Sequence, residues 1–249
     1  QEVWDLVQGP LASAISDPEG LANGKPEAFN GLVEGLVMSG LAMQKYRISS
    51  RPASGAGHQF SHVWEMEHLG MDQEPPLTHG FKVGLGTISV LALWEKVLEH
   101  DFTTLDVDTA VAKWPTAEEM EAKVRANFTG DMLEPAVKQT MDKYLDADAL
   151  RERLEVVRSK WPTIQERCRA QVMPAAHVEK IIQAVGGIYH PAQIGLTRER
   201  FHDTYYRCQM IRSRYTLLDL LVETGTISDF VEPLFEADGF WGQRPWPQD

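Results

Sequence analysis

The feature that most constrains the fold of this chain is helical spacing of apolar residues along nearly its whole length. The segment from His79 to His100 is apolar nearly all round, which is typical of a helix buried in the middle of a bundle. No stretch alternates between apolar and polar residues as a half-buried strand would. We therefore expect one all-α domain over residues 1–249, built as a helical bundle. An earlier segment, from Glu27 to Tyr46, has one apolar face made of Phe29, Leu32, Val33, Leu36, Val37 and Leu41.

Shorter signals predict further helices in the second half of the chain. Thr116 followed by Glu119 is the pattern of a capping box, which opens a helix. A stripe of apolar residues from Leu150 to Cys168 predicts a helix that Pro162 is expected to kink. A long helix over residues 197–225 should end at a glycine, and a last helix is expected over residues 228–235.

Glycines inside the helical segments predict close packing between helices. Gly31, Gly35 and Gly40 lie in the first apolar segment, where glycine weakens a helix, so we expect another backbone to come close there. The sequence GLGTIS from Gly84 superficially matches a dinucleotide-binding fingerprint, which needs a strand before it and a helix after it. These glycines lie inside a helical run, and we interpret them as small residues for helix packing.

Charge and hydropathy exclude several classes of partner. The chain has 24 basic and 36 acidic residues, a formal net charge of -12, whereas nucleic-acid binding requires a basic footprint. No apolar run reaches the ~18 residues of a membrane span, and the start QEVWDLVQGP lacks a signal-peptide pattern. We expect neither nucleic acid nor membrane as a partner, and a cytoplasmic location. Cys168 and Cys208 lack metal-ligand spacing and are expected to be buried thiols in a reducing compartment.

The stretch RPASGAGHQFSHVWEMEH, from Arg51 to His68, contains three of the eight histidines of the chain. His58 and His62 are four residues apart, so both should project from one helical face. His79 opens the following helix, and the two helix starts are expected to converge across the short loop between them. Neutral imidazole binds cations such as Zn²⁺ and Fe²⁺ well. The spacing leaves two interpretations open, a metal site or a buried His58 with solvated His62 and His68.

The ligand set of such a site is incomplete. A catalytic zinc site has three protein ligands and an open position. His58 and His79 supply two, whereas His62 lies on the adjacent turn and is as well placed for a proton relay. The acidic residues nearest in sequence are expected to be solvated surface charges, namely Glu65, Glu67 and Asp72.

At these residues the sequence resembles the sn-glycerol-1-phosphate dehydrogenase branch of the iron-containing alcohol dehydrogenase and glycerol dehydrogenase superfamily. The resemblance is carried by SRPASGAGHQFSH, THGFKVGLGT and IRSRYTLLDLLVETG, in this order, and extends from about Leu32 to Gly225. It implies the all-helical, metal-binding C-terminal domain of a dehydroquinate synthase-like or iron-containing alcohol dehydrogenase-like protein. The N-terminal nucleotide-binding domain of that family is expected to be absent from this chain.

The resemblance also implies roles for single residues. It assigns His58 and His79 as ligands of a divalent metal, and His62 as a catalytic histidine between the metal and the nicotinamide. The third ligand, an aspartate, is expected upstream of this chain. Zn²⁺ is the expected metal, with Fe²⁺ or Ni²⁺ as alternatives, and NAD(P) is expected to be bound mainly by the absent domain. Gly57 departs from the family pattern, which has an acidic residue at this position.

The implied activity is the NAD(P)- and metal-dependent interconversion of sn-glycerol 1-phosphate and dihydroxyacetone phosphate, or of a related polyol and ketone, a step of phospholipid metabolism. Arg51 and Lys82 flank the histidine segments and are candidates to hold the substrate phosphate, with solvated surface cations as the alternative. The enzyme is expected to be a homo-oligomer, and this segment alone to be inactive. Another class remains open, a non-catalytic helical regulatory or interaction module that kept the fold. A stand-alone helical metallohydrolase would need a third ligand and a base.

Overall fold

The computed structural model describes residues 1–46 and 49–247, and over these residues the backbone forms helices and turns without a β-strand. The all-α prediction is therefore confirmed. No helix in the described ranges is both long and apolar enough to cross a membrane. The α-helices are α1 Glu2–Gln8, α2 Leu11–Ala14, α3 Pro18–Ala22, α4 Pro26–Lys45, α5 Ala56–Met66, α6 His79–Glu99, α7 Val107–Ala112, α8 Ala117–Asn127, α9 Leu133–Met141, α10 Ala147–Arg169, α11 Ala175–Ala184, α12 Arg198–Arg207, α13 Leu217–Glu223 and α14 Ile227–Phe235. Short 3₁₀ helices lie at Arg51–Ala53, Phe102–Thr104, Gly130–Met132, Pro191–Ile194 and Cys208–Ile211.

Helix α6 lies at the centre of the apolar core, as its all-round apolar pattern predicts. Its side chains Leu85, Ile88 and Leu93 are completely buried. Around them pack fully buried aromatic residues from the neighbouring helices and the C-terminal segment, which include Phe60, Trp64, Trp161, Phe201, Tyr205 and Trp241. Burial of such large apolar side chains is the main source of stability in this bundle. A smaller cluster joins α7 to the first half of α10, through Val107, Ala110, Leu150 and Leu154.

Several local predictions are confirmed by the backbone. The capping box is present, because the Glu119 carboxylate accepts from Thr116 N at 2.8 Å and Thr116 Oγ1 accepts from Glu119 N at 3.2 Å. Helix α10 continues through Pro162 to Arg169. Both cysteine thiols are unpaired, with Cys208 buried as expected and Cys168 only partly buried.

The single long helix predicted for residues 197–225 is wrong. The chain forms α12, then a 3₁₀ helix, then an extended segment from Arg212 to Thr216, and only then α13. Arg212 has extended dihedral angles, φ -145° and ψ 140°. Thr216 and Asp219 form a second capping box, in which Asp219 Oδ2 accepts from Thr216 N at 2.7 Å. This cap starts a new helix, because its side chains satisfy backbone groups that a continuous helix would use internally.

Helix α4 forms as predicted, but its apolar face is not covered by the rest of the described chain. Five of its large side chains are 40–66% exposed, namely Phe29, Val33, Leu36, Val37 and Leu41. The face that packs is instead the glycine face. A Cβ on Gly31 would lie 2.6 Å from the Ser13 carbonyl oxygen, and one on Gly35 would lie 3.1 Å from Ala14 Cβ. Gly40 has no such neighbour, so the predicted close approach holds for two of the three glycines.

Helices α5 and α6 approach each other through two facing glycines. A Cβ on Gly57 would lie 3.1 Å from Thr87 N, and a Cβ on Gly86 would overlap the carbonyl oxygen of Gly57. The sequence GLGTIS therefore belongs to a helix-packing contact, as interpreted above. The acidic residue expected at position 57 would collide with the backbone of α6, which gives a physical reason for the glycine found here.

We expect Gly86→Ala to destabilise the protein by about 1–3 kcal/mol, because the added methyl group overpacks the contact with α5. Gly84→Ala is the matched control in the same helix, since its Cβ would lie at an ordinary 3.5 Å from Ile182 Cδ1. This control should be neutral or stabilising by up to about 1 kcal/mol, from helix propensity. Urea denaturation of the two variants measures the difference, and equal stabilities would refute the proposed contact.

Candidate metal centre

Three histidines meet where the N-terminal half of α5 lies against the start of α6. His58 and His62 lie one turn apart on α5, and His79 is the first residue of α6. The ring centroids of His58 and His79 are 5.5 Å apart, those of His62 and His79 are 5.7 Å apart, and those of His58 and His62 are 6.3 Å apart. The structure therefore brings together all three histidines that the sequence singled out.

Glu65 joins two of these imidazoles. One carboxylate oxygen lies 2.6 Å from Nδ1 of His79, and the other lies 3.2 Å from Nδ1 of His62. The side chain is 26% exposed, so it is not the solvated surface charge expected from its residue type. Its position three residues after His62 places it on the helix face that meets α6. That spacing was the signal in the sequence that could have identified it.

Glu67 also differs from expectation, because it forms ion pairs with two arginines of α12. Its carboxylate oxygens lie 2.7 Å from Arg200 and 2.8 Å from Arg207, and its side chain is 16% exposed. These pairs tie the C-terminal end of α5 to α12. Glu67 therefore supports the helix that carries the histidines, whereas Asp72 is exposed as expected.

The environment of His58 and His62 favours neutral imidazole. Burial, followed by the neighbouring imidazoles of His79 and His62, lowers the pKa of His58. Burial and then the Arg212 guanidinium lower the pKa of His62, against the opposing effect of Glu65. Neutral imidazole is the form that binds metal ions, so the protein holds these two rings in the state that a ligand requires.

Glu65 remains a carboxylate although it is partly buried. Burial opposes its ionisation, but the hydrogen bond from His79, together with the neighbouring His62 and the charge of Lys82, lowers its pKa overall. An ionised Glu65 accepts the Nδ1 protons of His62 and His79, which leaves Nε2 of each ring free. A carboxylate behind a histidine is the arrangement that orients imidazole toward a metal ion.

The spacing and chemistry of the rings suit a divalent cation, but the ligand set is incomplete. Two imidazoles that bind one tetrahedral zinc ion through nitrogens about 2.0–2.1 Å away have centroids roughly 5 Å apart, close to the spacing of His58 and His79. Within residues 1–46 and 49–247, no group of three or more His, Cys, Asp or Glu side chains has the arrangement of a complete metal site. The described residues therefore offer imidazole donors without a complete ligand set.

The two basic residues proposed for the substrate lie in different surroundings. Lys82, one turn after His79 on α6, is only 2% exposed and lines the same groove as His62, Glu65 and His79. It is therefore not a solvated surface cation. Arg51 is exposed, in the 3₁₀ turn that precedes α5. The structure thus brings Lys82 to the histidines, and leaves Arg51 on the turn behind them.

Two further arginines near the site were not singled out from the sequence. Arg214 donates to the Ser54 carbonyl oxygen at 2.8 Å and to Ser50 Oγ at 2.7 Å, and so holds the turn before α5. Arg212 is close enough to His62 to affect its pKa. The sequence placed both residues inside a predicted long helix. The extended backbone that brings them to α5 was not predicted.

The sequence of this helical chain is similar to curated proteins that share one name. Proteins named glycerol-1-phosphate dehydrogenase (NAD(P)+) from Geobacillus thermodenitrificans and Geobacillus stearothermophilus are 28% and 26% identical to it, each over 89% of this chain and 45% of the relative. The protein of the same name from Archaeoglobus fulgidus is 33% identical over 63% of this chain and 40% of its own length.

The resemblance inferred from the sequence is thereby confirmed, because glycerol-1-phosphate dehydrogenases match most of this chain and the helical fold is consistent with their C-terminal domain. The chain spans less than half the length of these relatives. No family model matches the chain. No solved structure matches it either.

In the metal-free protein, the imidazole resonances of His58 and His62 should titrate with midpoints below 6.5, because burial disfavours the charged rings. Folding therefore favours the neutral form, so these groups leave stability unchanged above pH 6.5 and reduce it as pH falls through the folded-state pKa. NMR titration, with assignment by His→Asn variants, measures the midpoints. Values at or above 6.5 would contradict the described environment.

Replacement of Glu65 by Gln should weaken Zn²⁺ or Co²⁺ binding by about 10–100-fold, the usual effect of removing a carboxylate that orients a histidine ligand. The control is Glu99→Gln, at the opposite end of α6, where the side chain is 73% exposed. Metal titration followed by calorimetry provides the measurement. If both variants bind as the wild type does, Glu65 does not orient the ligands.

Proposed function

We propose that this chain forms the metal- and substrate-binding part of an NAD(P)-dependent oxidoreductase that interconverts sn-glycerol 1-phosphate and dihydroxyacetone phosphate, or a related polyol and ketone. The observation that carries the proposal is the convergence of His58, His62 and His79 in a chain similar to proteins named for this activity. NAD(P) would be held mainly by residues outside these 249, and the enzyme would act as a homo-oligomer on a small phosphorylated substrate.

In this proposal His58 and His79 hold a divalent metal ion, Zn²⁺ by preference and Fe²⁺ or Ni²⁺ as alternatives. The Glu65 hydrogen bond to Nδ1 of His79 leaves its Nε2 as the donor atom. A further ligand would come from outside the described residues. When bound, the ion would supply Lewis-acid stabilisation of negative charge on the substrate oxygen during hydride transfer to or from the nicotinamide.

His62 would be the catalytic proton carrier. Its Nδ1 faces Glu65, so the ring is held with the proton on Nδ1 and the free electron pair on Nε2. Burial keeps the ring neutral at a pH where an unperturbed histidine is partly charged. Nε2 of His62 could then accept the substrate hydroxyl proton during oxidation and return it during reduction.

Lys82 and Arg51 would bind the substrate. The Lys82 side chain is 2% exposed and lines the groove beside the histidines, and no described residue forms a hydrogen bond or ion pair with it. An ammonium group without a partner at the wall of a groove is available to bind an anion such as a substrate phosphate. Arg51 lies at the turn before α5, where its guanidinium could reach the same anion from the solvent side.

A non-catalytic helical module is the alternative function. The incomplete ligand set and Gly57, in place of an acidic residue, favour this interpretation. The convergence of three imidazoles, two of them bonded to one carboxylate, argues against it, since a module without chemistry has no need to bring them together.

In the enzyme, His79→Ala should abolish stoichiometric metal binding and NAD(P)-dependent oxidation of sn-glycerol 1-phosphate together. His177→Ala provides the control, because His177 is an exposed histidine on α11. Metal content by atomic emission and turnover by absorbance at 340 nm are the measurements. Retained stoichiometric metal in the His79 variant would overturn the ligand assignment. A wild type that binds metal through these histidines but shows no turnover would support the non-catalytic module.

A further inference from the structure

The extended segment from Arg212 to Thr216 lies against the turn and the first part of α5. Ser213 N donates to Gln139 Oε1 at 2.8 Å, and Thr216 Oγ1 donates to Gln59 Oε1 at 3.3 Å. Gln59 is the residue next to His58 and is buried. These bonds fix the segment between α9 and α5, and so fix the backbone from which two arginines project.

Arg212 and Arg214 are two residues apart on this segment, whose two ends, Arg212 and Thr216, have extended dihedral angles. The guanidinium of Arg214 bridges to Ser54 and Ser50, on either side of the turn that contains Arg51. Arg212 donates to the carbonyl oxygen of Ile211 at 2.9 Å. The pKa of Arg214 is lowered by burial, then by the charge of Arg212 and then by that of Arg51. The three cations therefore lie close enough to repel one another.

These three cations have no carboxylate partner among the described residues, although the chain has 36 acidic residues against 24 basic ones. Three other partly buried arginines are paired with carboxylates, whereas within the described part of the chain the partly buried Arg212 and Arg214 are not. Arg153 bonds to Glu223 at 2.6 Å, Arg207 bonds to Glu67 at 2.8 Å, and Arg244 forms an ion pair with Glu179. A cluster of like charges without a counter-ion is unfavourable, and an anion supplied from outside would relieve it.

The arginine cluster lies beside the histidine centre. Arg214 bonds to the carbonyl oxygen of Ser54, four residues before His58, and Thr216 bonds to Gln59, the residue after His58. In keeping with this placement, burial and then Arg212 contribute to the lowered pKa of His62. Each guanidinium has five N–H donors, of which Arg212 uses one and Arg214 uses two in the bonds described. Donors therefore remain for a ligand that bridges the two side chains.

We propose that Arg212 and Arg214, together with Arg51, form an anion site next to the histidine cluster that binds the phosphoryl group of the substrate. Planar guanidinium groups recognise phosphate oxygens in pairs, with greater geometric specificity than a single lysine. The identity of the substrate rests on the function proposed above, whereas the anion site itself does not. This site would distinguish a phosphorylated triose from glycerol, which offers no anion to the cluster.

The test is binding of inorganic phosphate to the metal-free, nucleotide-free protein, by isothermal titration calorimetry. Arg212→Gln should raise the dissociation constant by about tenfold or more, because a charge-assisted contact is lost. Lys160→Gln is the charge-matched control, at an exposed position on α10, and should leave the constant unchanged. Arg212→Lys keeps the charge but loses the planar fork, and should fall between the wild type and Arg212→Gln.

A second measurement uses only the wild-type protein, so its result does not depend on whether a variant folds. Phenylglyoxal modifies accessible arginines, and peptide mass spectrometry reads the sites. Phosphate should protect Arg212 and Arg214 while leaving Arg151 on α10, whose side chain is 43% exposed, reactive. Equal phosphate affinity in Arg212→Gln and the wild type, or equal labelling with and without phosphate, would overturn the proposal. Neither assay measures turnover. Both therefore test the anion site even if the enzyme catalyses a different reaction.

Discussion

The close contact between Gly57 and Gly86 determines how near α5 and α6 can lie, and with it the position of the candidate site. His58 follows one of these glycines directly, and His79 begins the helix that carries the other. Side chains at either position would push the helices apart, and the imidazoles would separate with them. Burial of α6 in the core then makes the arrangement rigid, because its apolar residues pack on every side.

The charges around the histidines follow from this geometry. Glu65 lies between two rings and fixes their Nδ1 atoms, while three arginines approach from the turn and from the extended segment before α13. Within the described residues these arginines have no carboxylate partner, although the chain as a whole is acidic. An anionic group on a small molecule bound there would lie beside donors for a metal ion.

Much of the fold was predictable from the sequence, whereas the electrostatics of the site were only partly so. Periodicity identified α4, α6 and α10, and the spacing of His58, His62 and His79 predicted their convergence. The break before α13 was missed, because apolar periodicity continues across it and only the tertiary bonds of Ser213 and Thr216 show the extended backbone. Glu65 was missed because carboxylates are usually solvated, and its burial depends on the approach of α6. The exposure of the apolar face of α4 was also missed, because it depends on which helices pack against it.

A crystal structure of the zinc-loaded protein, with the ion located by anomalous scattering at the zinc edge, would decide whether the paired helices build a metal centre. The expected result is a zinc ion with ring nitrogens of both His58 and His79 at about 2.0–2.1 Å, and with Glu65 still bonded to Nδ1 of His79. A zinc ion bound elsewhere, with these two rings uncoordinated, would show that the α5–α6 contact serves packing alone.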